Sequence, residues 1–543
     1  MGRKFKIAFS SSDKDSAYTF LHDVGFIPRI ENGERGFKVV VGGGLGAQSI
    51  LAQTAYEFLH EDQIIPFVES VLRVFDRYGE RVRRHKARMK YLIKDLGLEK
   101  FMELVAAERT ANKVKSYKID TTKVSIGEPL HHNIAPQVTI EDEKAYQDWL
   151  RTNVFEQKQA GYFAVALKVT KGDVKPDEAR AIAALVQQYA SEDMRITMNQ
   201  GLLLKFVPKA SLPYFYQELH KLGFAKVGFD TIADVTTCPG TDTCNLGVTN
   251  SMTLGTVLED VIYDEFYHLI FDSEIKIKIS GCMNSCGQHM AANIGLHGSS
   301  IKVGERVAPA MQVILGGGVD VHGVGTVGDK IVKIPTKRSP EMLRIVLNDY
   351  EINSNEGEYF NDYYRRQGKN YFYALLKPLA NVSLYVDDDF IDYGGVENYI
   401  QEIGVGECAG VMYDMVGGII KDADNKLIEA KDHLLKNKFP EAIYYAYTGF
   451  IIGAKALLLS KEIECNTQIK MLKDFDEHLV ATGEFKMENG FENVVLQINQ
   501  HEPEIAFATN YVQQFECFLK DVIAHRTAAA NKDKVVVESS YKA

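Results

Sequence analysis

The stretch KIKISGCMNSCGQHMAANIGLHG, residues 276–298, sets two cysteines between two strand-like runs. Residues 276–279 alternate charged and apolar side chains with a period of two, as a half-buried strand does. Cys282 and Cys286 lie four apart, a spacing that one helical turn would bring to a common face. Upstream, TTCPGTDTC (236–244) carries Cys238 and Cys244, and Pro239-Gly240 predicts a tight turn that aims the first thiolate inward. These four fall within 49 residues (238–286), whereas Cys408, Cys465 and Cys517 are scattered through helical-looking sequence and read as small buried hydrophobes. Seven cysteines in a long chain without an export signal argue against a disulfide framework. Four thiolates suit zinc or an iron–sulfur cluster. The five residues between Cys238 and Cys244 exceed the usual zinc-ribbon spacing and also depart from the ferredoxin run. A cluster, zinc and inert thiols stand as the alternatives at this point.

Outward from the cysteines the chain repeats itself. Lys4-Phe5-Lys6-Ile7 aligns with Lys276-Ile277-Lys278-Ile279, and DVGF (23–26) with NIGL (293–296). FKVVVGGGLG (37–46) aligns with MQVILGGGVD (311–320), and each copy is followed by a predicted helix, 64–78 and 340–350. The cysteines occur only in the second copy; this alignment sets Ser10–Lys14 opposite them. The paired glycine turns Gly42, Gly43, Gly44 and Gly316, Gly317, Gly318 would let backbone approach a large planar ligand.

Between the copies, GYFAVALKV (161–169), a helix opening at Pro176, the strand run 194–207 and a helix to Leu222 predict half of a ferredoxin-like sandwich. The expected fold is α+β: duplicated modules at 1–130 and 227–355, the half-domain at 150–226, a linker at 356–414, an all-α bundle at 415–526 and a frayed tail at 527–543. Hydrophobic and charged shares of 45% and 25% exclude disordered and fibrous classes. The formal net charge of −11 (62 Lys and Arg against 73 Asp and Glu) argues against generic nucleic-acid binding. No apolar run reads as long enough to cross a bilayer, and MGRKFKIAFSSS reads as neither a signal peptide nor a myristoylation site, so a cytoplasmic protein with no membrane or nucleic-acid partner is expected.

TTCPGTDTC with KISGCMNSCGQHMAANIGLHG resembles the signature of the siroheme-containing sulfite and nitrite reductases, and the resemblance runs over roughly residues 3–355. It implies that Cys238, Cys244, Cys282 and Cys286 bind a 4Fe-4S cluster and that Cys286 bridges to siroheme. Met283 stands where the family usually has proline. RVRRHKARMK (81–90) resembles the segment that contacts siroheme carboxylates, which implies roles for Arg81, Arg84, Arg88 and Lys90. On charge alone the same run reads as a solvated basic helix, and it lacks the aromatic interleaving of a nucleic-acid groove. RKFK (3–6) resembles the strand whose lysines face the bound anion, which implies electrostatic and general-acid roles for Lys4 and Lys6. Arg195, Thr197 and Gln200 in RITMNQ resemble the cofactor-facing strand.

The resemblance implies six-electron reduction of sulfite to sulfide or of nitrite to ammonia, fed by ferredoxin or a flavoprotein. No nucleotide-binding fingerprint follows a strand, so NAD(P)H is not expected to bind directly. The family's other ferredoxin-like half is absent from the expected architecture, so a truncated product or a non-catalytic cluster-binding subunit is an alternative, as is a cobalamin-pathway monooxygenase on the same fold. The C-terminal helices resemble HEPN-type bundles. Arg526 is the only arginine after residue 400 and no histidine follows it, so docking or dimerisation is expected there rather than nuclease activity.

Overall fold

Alternation of apolar residues builds two sheets of related design. In the first copy, β1 (Ile7–Phe9), β2 (Val24–Glu31), β3 (Glu34–Val41) and β4 (Gln53–His60) lie side by side in chain order. β1 runs parallel to β2, and the rest are antiparallel. Asn32 and Gly33, both at positive φ (52° and 81°), turn the β2–β3 hairpin as a two-residue loop requires. α1 (Ile64–Tyr78), α2 (Met89–Leu96) and α3 (Leu98–Ala111) follow.

The half-domain comprises α4 (Glu143–Asn153), β5 (Val154–Glu156), β6 (Tyr162–Leu167), α5 (Pro176–Tyr189), β7 (Met194–Ile196), β8 (Leu202–Pro208) and α6 (Leu212–Lys221). Its sheet has the order β5-β6-β8-β7. The run expected as one strand over 194–207 is two antiparallel strands, because residues 197–201 form a turn closed by Thr197 N–H to the Gly201 carbonyl (2.9 Å).

The second copy carries one more strand. β9 (Thr236–Thr237) precedes α7 (Ser251–Glu265), α8 (Leu269–Asp272), β10 (Ile277–Ser280), β11 (Ile294–Val303), β12 (Arg306–Leu315), a small ribbon of β13 (Gly318–Val319) and β14 (Gly325–Thr326), and β15 (Asp329–Pro335). The main sheet has the order β15-β12-β11-β10-β9. α9 (Ser339–Asn353), α10 (Phe360–Gln367) and α11 (Lys369–Leu376) then pack on it. Residues 356–380 are therefore no linker: Phe360, Tyr363, Phe372 and Leu376 are buried in the same core as Ile277, Leu296 and Val313.

The computed structural model describes residues 4–532 except 82, 84–85, 121, 123–128, 130, 192–193, 321–322, 401–414, 462, 464–466 and 488. Arg84, Cys408, Cys465 and most of the expected tail lie outside the described residues. The chain divides into two compact units, Phe5–Val71 with Ile93–Ala409, and Met1–Lys4 with Leu72–Leu92 and Gly410–Ala543. The expected first module, 1–130, is thus shared between them.

In the second unit, α12 (Met415–Leu435), α13 (Phe439–Ser460), α14 (Gln468–Phe475), α15 (Phe491–Leu496) and α16 (Ile505–Lys532) enclose Phe450, Phe475, Phe491, Tyr511, Phe515 and Phe518. α16 continues to Lys532, past the expected start of the tail. α13, at mean hydropathy 1.4, is long and apolar enough to span a bilayer, against the sequence expectation; 61% of its apolar window is buried inside the bundle.

One buried ion pair joins the half-domain to the second copy. Lys168, just after β6, places Nζ 2.7 Å from Glu259 Oε2 of α7, with both side chains nearly inaccessible (0% and 4%). Burial pushes the Glu259 carboxyl upward, against the pull of Lys168. Breaking one partner strands a buried charge. Glu259→Leu is expected to cost about 3–5 kcal/mol in urea unfolding, and Lys168→Met with Glu259→Leu together to cost far less. A double-variant loss equal to the summed losses of Glu259→Leu and Lys168→Met measured singly would show that the charges contribute no mutual stabilisation.

Candidate metal centre

The two copies superimpose in register. Ile7 pairs with Val24 as Ile277 pairs with Ile294, an offset of 270 (277 − 7, 294 − 24). The same offset relates the positive-φ residues Asp15 and Ser285, and Tyr18 and Gln288. It also relates the single-turn helices Thr19–Leu21 and His289–Ala291. The sequence alignment of the first strand was therefore two residues out. Lys6 matches Lys276, and each backbone N–H donates to the side chain of its counterpart, Asp23 (2.9 Å) or Asn293 (2.7 Å).

The residues opposite Cys282 and Cys286 are accordingly Ser12 and Ser16, within a loop closed by its own hydroxyls. Ser10 Oγ donates to the Ser12 carbonyl (2.6 Å) and accepts from Ser16 N–H (3.0 Å), and Asp15 accepts from Thr19 N–H and Oγ1–H (2.9 and 2.8 Å). The first copy satisfies this loop internally; the second supplies thiols there instead. Neither loop is helical, so Cys282 and Cys286 are brought round by two turns and not by a shared helix face.

Cys238 follows β9, which pairs in parallel with β10 through Thr236 and Thr237. Its N–H donates to the Ile279 carbonyl (3.1 Å), and its Sγ accepts from Gly281 N–H (3.1 Å). The segment 240–249 then folds back so that Val248 and Thr249 N–H both donate to the Gly281 carbonyl (2.7 and 3.2 Å). A Cβ on Gly281 would sit 2.5 Å from Gly240 Cα, so the two cysteine loops meet backbone to backbone.

Burial pushes the Cys282 thiol up to about 11, and each of the other three thiols raises it further. The four sulfurs therefore share one neighbourhood. Among the described residues, however, no three of them lie within 4.8 Å of one another. A tetrahedral zinc with bonds near 2.3 Å needs sulfurs about 3.8 Å apart. Four thiols in a wider arrangement suit a polynuclear cluster, which demands deprotonated thiolates.

Gln200 binds this site's frame and not open space. Its Nε2 donates to the Thr237 carbonyl (2.7 Å) and its Oε1 accepts from Thr237 N–H (3.0 Å), immediately before Cys238. Thr197 Oγ1 accepts from Gly201 N–H (3.0 Å), and Arg195 lies on exposed β7 opposite Leu203. Gly43 and Gly317 are required by packing: a Cβ would approach the carbonyls of Phe20 (2.4 Å) and Met290 (2.3 Å). Gly42 and Gly316 hold matching φ of 84° and 85°, and Gly44 exchanges backbone hydrogen bonds with Ile50 (2.9 Å each). A Cβ on Gly318 would meet the Ala291 carbonyl at 4.0 Å, so packing there leaves room for one.

The strand at RKFK begins at Ile7, so Lys4 and Lys6 precede it; both are exposed. In the second unit, Arg81 caps the end of α1, its Nη2 donating to the Phe75 and Asp76 carbonyls (3.2 and 2.5 Å). Lys90 is buried in the first turn of α2 with Nζ 5.0 Å from the Tyr91 ring. Arg88 precedes α2.

Sequence reading missed the buried polar groups beside the cysteines. Asp234, 9% exposed, is pushed up to about 7 by burial while accepting from Asp230 N–H (2.9 Å). Lys278 is lowered to about 8 by burial, with Nζ 2.9 Å from Gln288 Oε1 and 4.4 Å from the Tyr18 ring. Lys168, directly after the apolar strand β6, and Lys278, within β10, were the available signals.

Residues 1–114 and 228–380 match the nitrite and sulphite reductase 4Fe-4S domain, and residues 155–222 match the nitrite/sulfite reductase ferredoxin-like half domain. The chain belongs to the nitrite and sulphite reductase family. The 4Fe-4S cluster and siroheme expected from the resemblance are this family's cofactors. A ferredoxin–nitrite reductase of Synechococcus elongatus is 27% identical over 353 residues, 64% of this chain and 62% of that protein. Sulfite reductase (ferredoxin) 1 of Mycolicibacterium paratuberculosis is 29% identical over 368 residues, 66% of this chain and 61% of that protein. The structure of the Mycobacterium tuberculosis NirA protein superimposes with a TM-score of 0.55 at 26% identity, covering 68% of this chain and 64% of that one. The chain spans about three fifths of the length of these relatives.

Two outcomes follow for this site. Serine in place of Cys238, Cys244, Cys282 or Cys286 is expected to lower iron content in each case; an unchanged iron-to-protein ratio in any variant removes that ligand from the set. Asp234 carries its proton to about pH 7 when folded but only to about 3.8 when unfolded. Stability should therefore fall as pH rises through that window, and Asp234→Asn should flatten the fall in chemical denaturation.

Proposed function

We propose that this chain carries the cluster-bearing half of a siroheme reductase that takes sulfite to sulfide or nitrite to ammonia. The observation that carries the reading is the convergence of four cysteines from two glycine-apposed loops in one copy of a duplicated α+β module. Cys238, Cys244, Cys282 and Cys286 would hold the 4Fe-4S cluster, and Cys286 would be the cysteine shared with siroheme. When bound, these cofactors would supply the single-electron chemistry that a six-electron reduction of the anion requires. The chain's own groups set the charge and the protons: Lys6, and Lys4 in the adjoining sequence, supply ammonium groups suited to an oxyanion. Arg195 adds a cation near the Gln200 turn.

Ferredoxin is the electron donor this reading favours, since ferredoxin stands in the names of both the nitrite- and the sulfite-reducing relatives. A cytoplasmic setting agrees with cysteines kept as ligands in place of disulfides.

The test is anaerobic purification with siroheme biosynthesis co-expressed, followed by metal analysis and absorption spectra with each anion. About four irons per chain, with haem bands that shift on adding nitrite or sulfite, support the reading, and the larger turnover rate with reduced ferredoxin identifies the substrate. Zinc in place of iron overturns it.

A further inference from the structure

Two buried histidines flank the Cys282–Cys286 loop. His289 opens the single-turn helix three residues after Cys286, and His297 on β11 pairs with Ser280, two residues before Cys282. Their ring centroids are 4.8 Å apart, and they are 1% and 6% exposed. His297 Nδ1 donates to the Gly298 carbonyl (3.0 Å), which leaves Nε2 as the acceptor. That Nε2 and His289 Nδ1 are both buried with no hydrogen-bond partner. Orphaned buried nitrogens are costly, and two in ring contact are rare without a proton, water or ion to share.

At the offset of 270 the first copy has Thr19 and Ile27 in these places, so the pair exists only where the thiols do. Burial pushes both imidazoles toward the neutral form; Lys330 on β15 adds to this at both rings, Lys333 on β15 at His297, and His297 itself at His289. Among the described residues, no carboxylate is among the groups acting on them. A negative charge arriving at the adjacent cluster would reverse that balance, because an opposite charge nearby favours imidazolium.

We propose that His289 and His297 form a proton-holding site linked to the redox state of the cluster. Uptake of one electron from a low-potential one-electron donor at the cluster would be matched by one proton from water on an orphaned ring nitrogen, and that proton would be released when the electron leaves. The inference rests on the cluster assignment above.

The test begins with full-length protein carrying the cluster, verified by iron and sulfide content and by the paramagnetic signal of the reduced state. Its midpoint potential is then measured from about pH 6 to 9. The wild type should lose potential as pH rises, and His289→Val and His297→Leu should each flatten that slope. Nitrogen-15 histidine resonances should show a proton gained at this pair on reduction, a readout that stands even where a variant does not fold. A pH-independent wild-type potential overturns the proposal, as does a slope kept in both variants, which would belong to Asp234 or Lys278. Protein that holds no iron sinks the cluster assignment and this inference together; iron retained without the slope sinks only the latter.

Discussion

Everything at this site depends on two loops meeting without side chains between them. The Cys238–Cys244 loop and the Cys282–Cys286 loop touch through Gly240 and Gly281, and Gly298 closes the far side, where a Cβ would lie 2.1 Å from the Gly281 carbonyl. Any larger residue would push one cysteine pair away from the other. Because Gly281 also donates to Cys238 Sγ and accepts from Val248 and Thr249, the same peptide sets the thiol's orientation and the return of its loop.

Duplication explains how such a contact could be specialised. Both copies share the parallel first strand, the positive-φ turn residues and the single-turn helix, so the backbone scaffold is common to both. What differs is the filling. In the first copy serine hydroxyls and Asp15 close the loop on itself, whereas the second carries thiols and the extra strand β9 that delivers Cys238. Polar satisfaction in one copy and deliberate incompleteness in the other are two uses of one fold.

The half-domain acts as a brace for this arrangement. Its 197–201 turn lends Gln200 to Thr237, and its first long strand leads into Lys168, paired with Glu259. Glu259 Oε1 in turn accepts from Val235 N–H (3.2 Å), three residues before Cys238. Two separate side chains from the half-domain thus converge on the strand that presents Cys238. A buried ion pair is a poor source of net stability but a strict selector of geometry, since either partner alone is strongly disfavoured.

The residue string alone singled out the four cysteines that come together, the duplication, the α+β class and the helices at 64–78 and opening at Pro176. These depend on ligand chemistry and on hydrophobic period, both of which are local properties of the chain. It misjudged what depends on distance through space. The first-strand alignment slipped by two because a period of two makes neighbouring registers look alike, and only the hydrogen-bonded ladder distinguishes them. Residues 356–380 read as a linker, since their aromatic residues find a core only once β15 and α9 are in place. Gln200 read as facing a ligand because a glutamine's partner cannot be inferred from its neighbours in sequence. Tertiary structure alone decided the histidine pair, the buried lysines and the wide spacing of the thiols, because desolvation arises only when distant segments exclude water together.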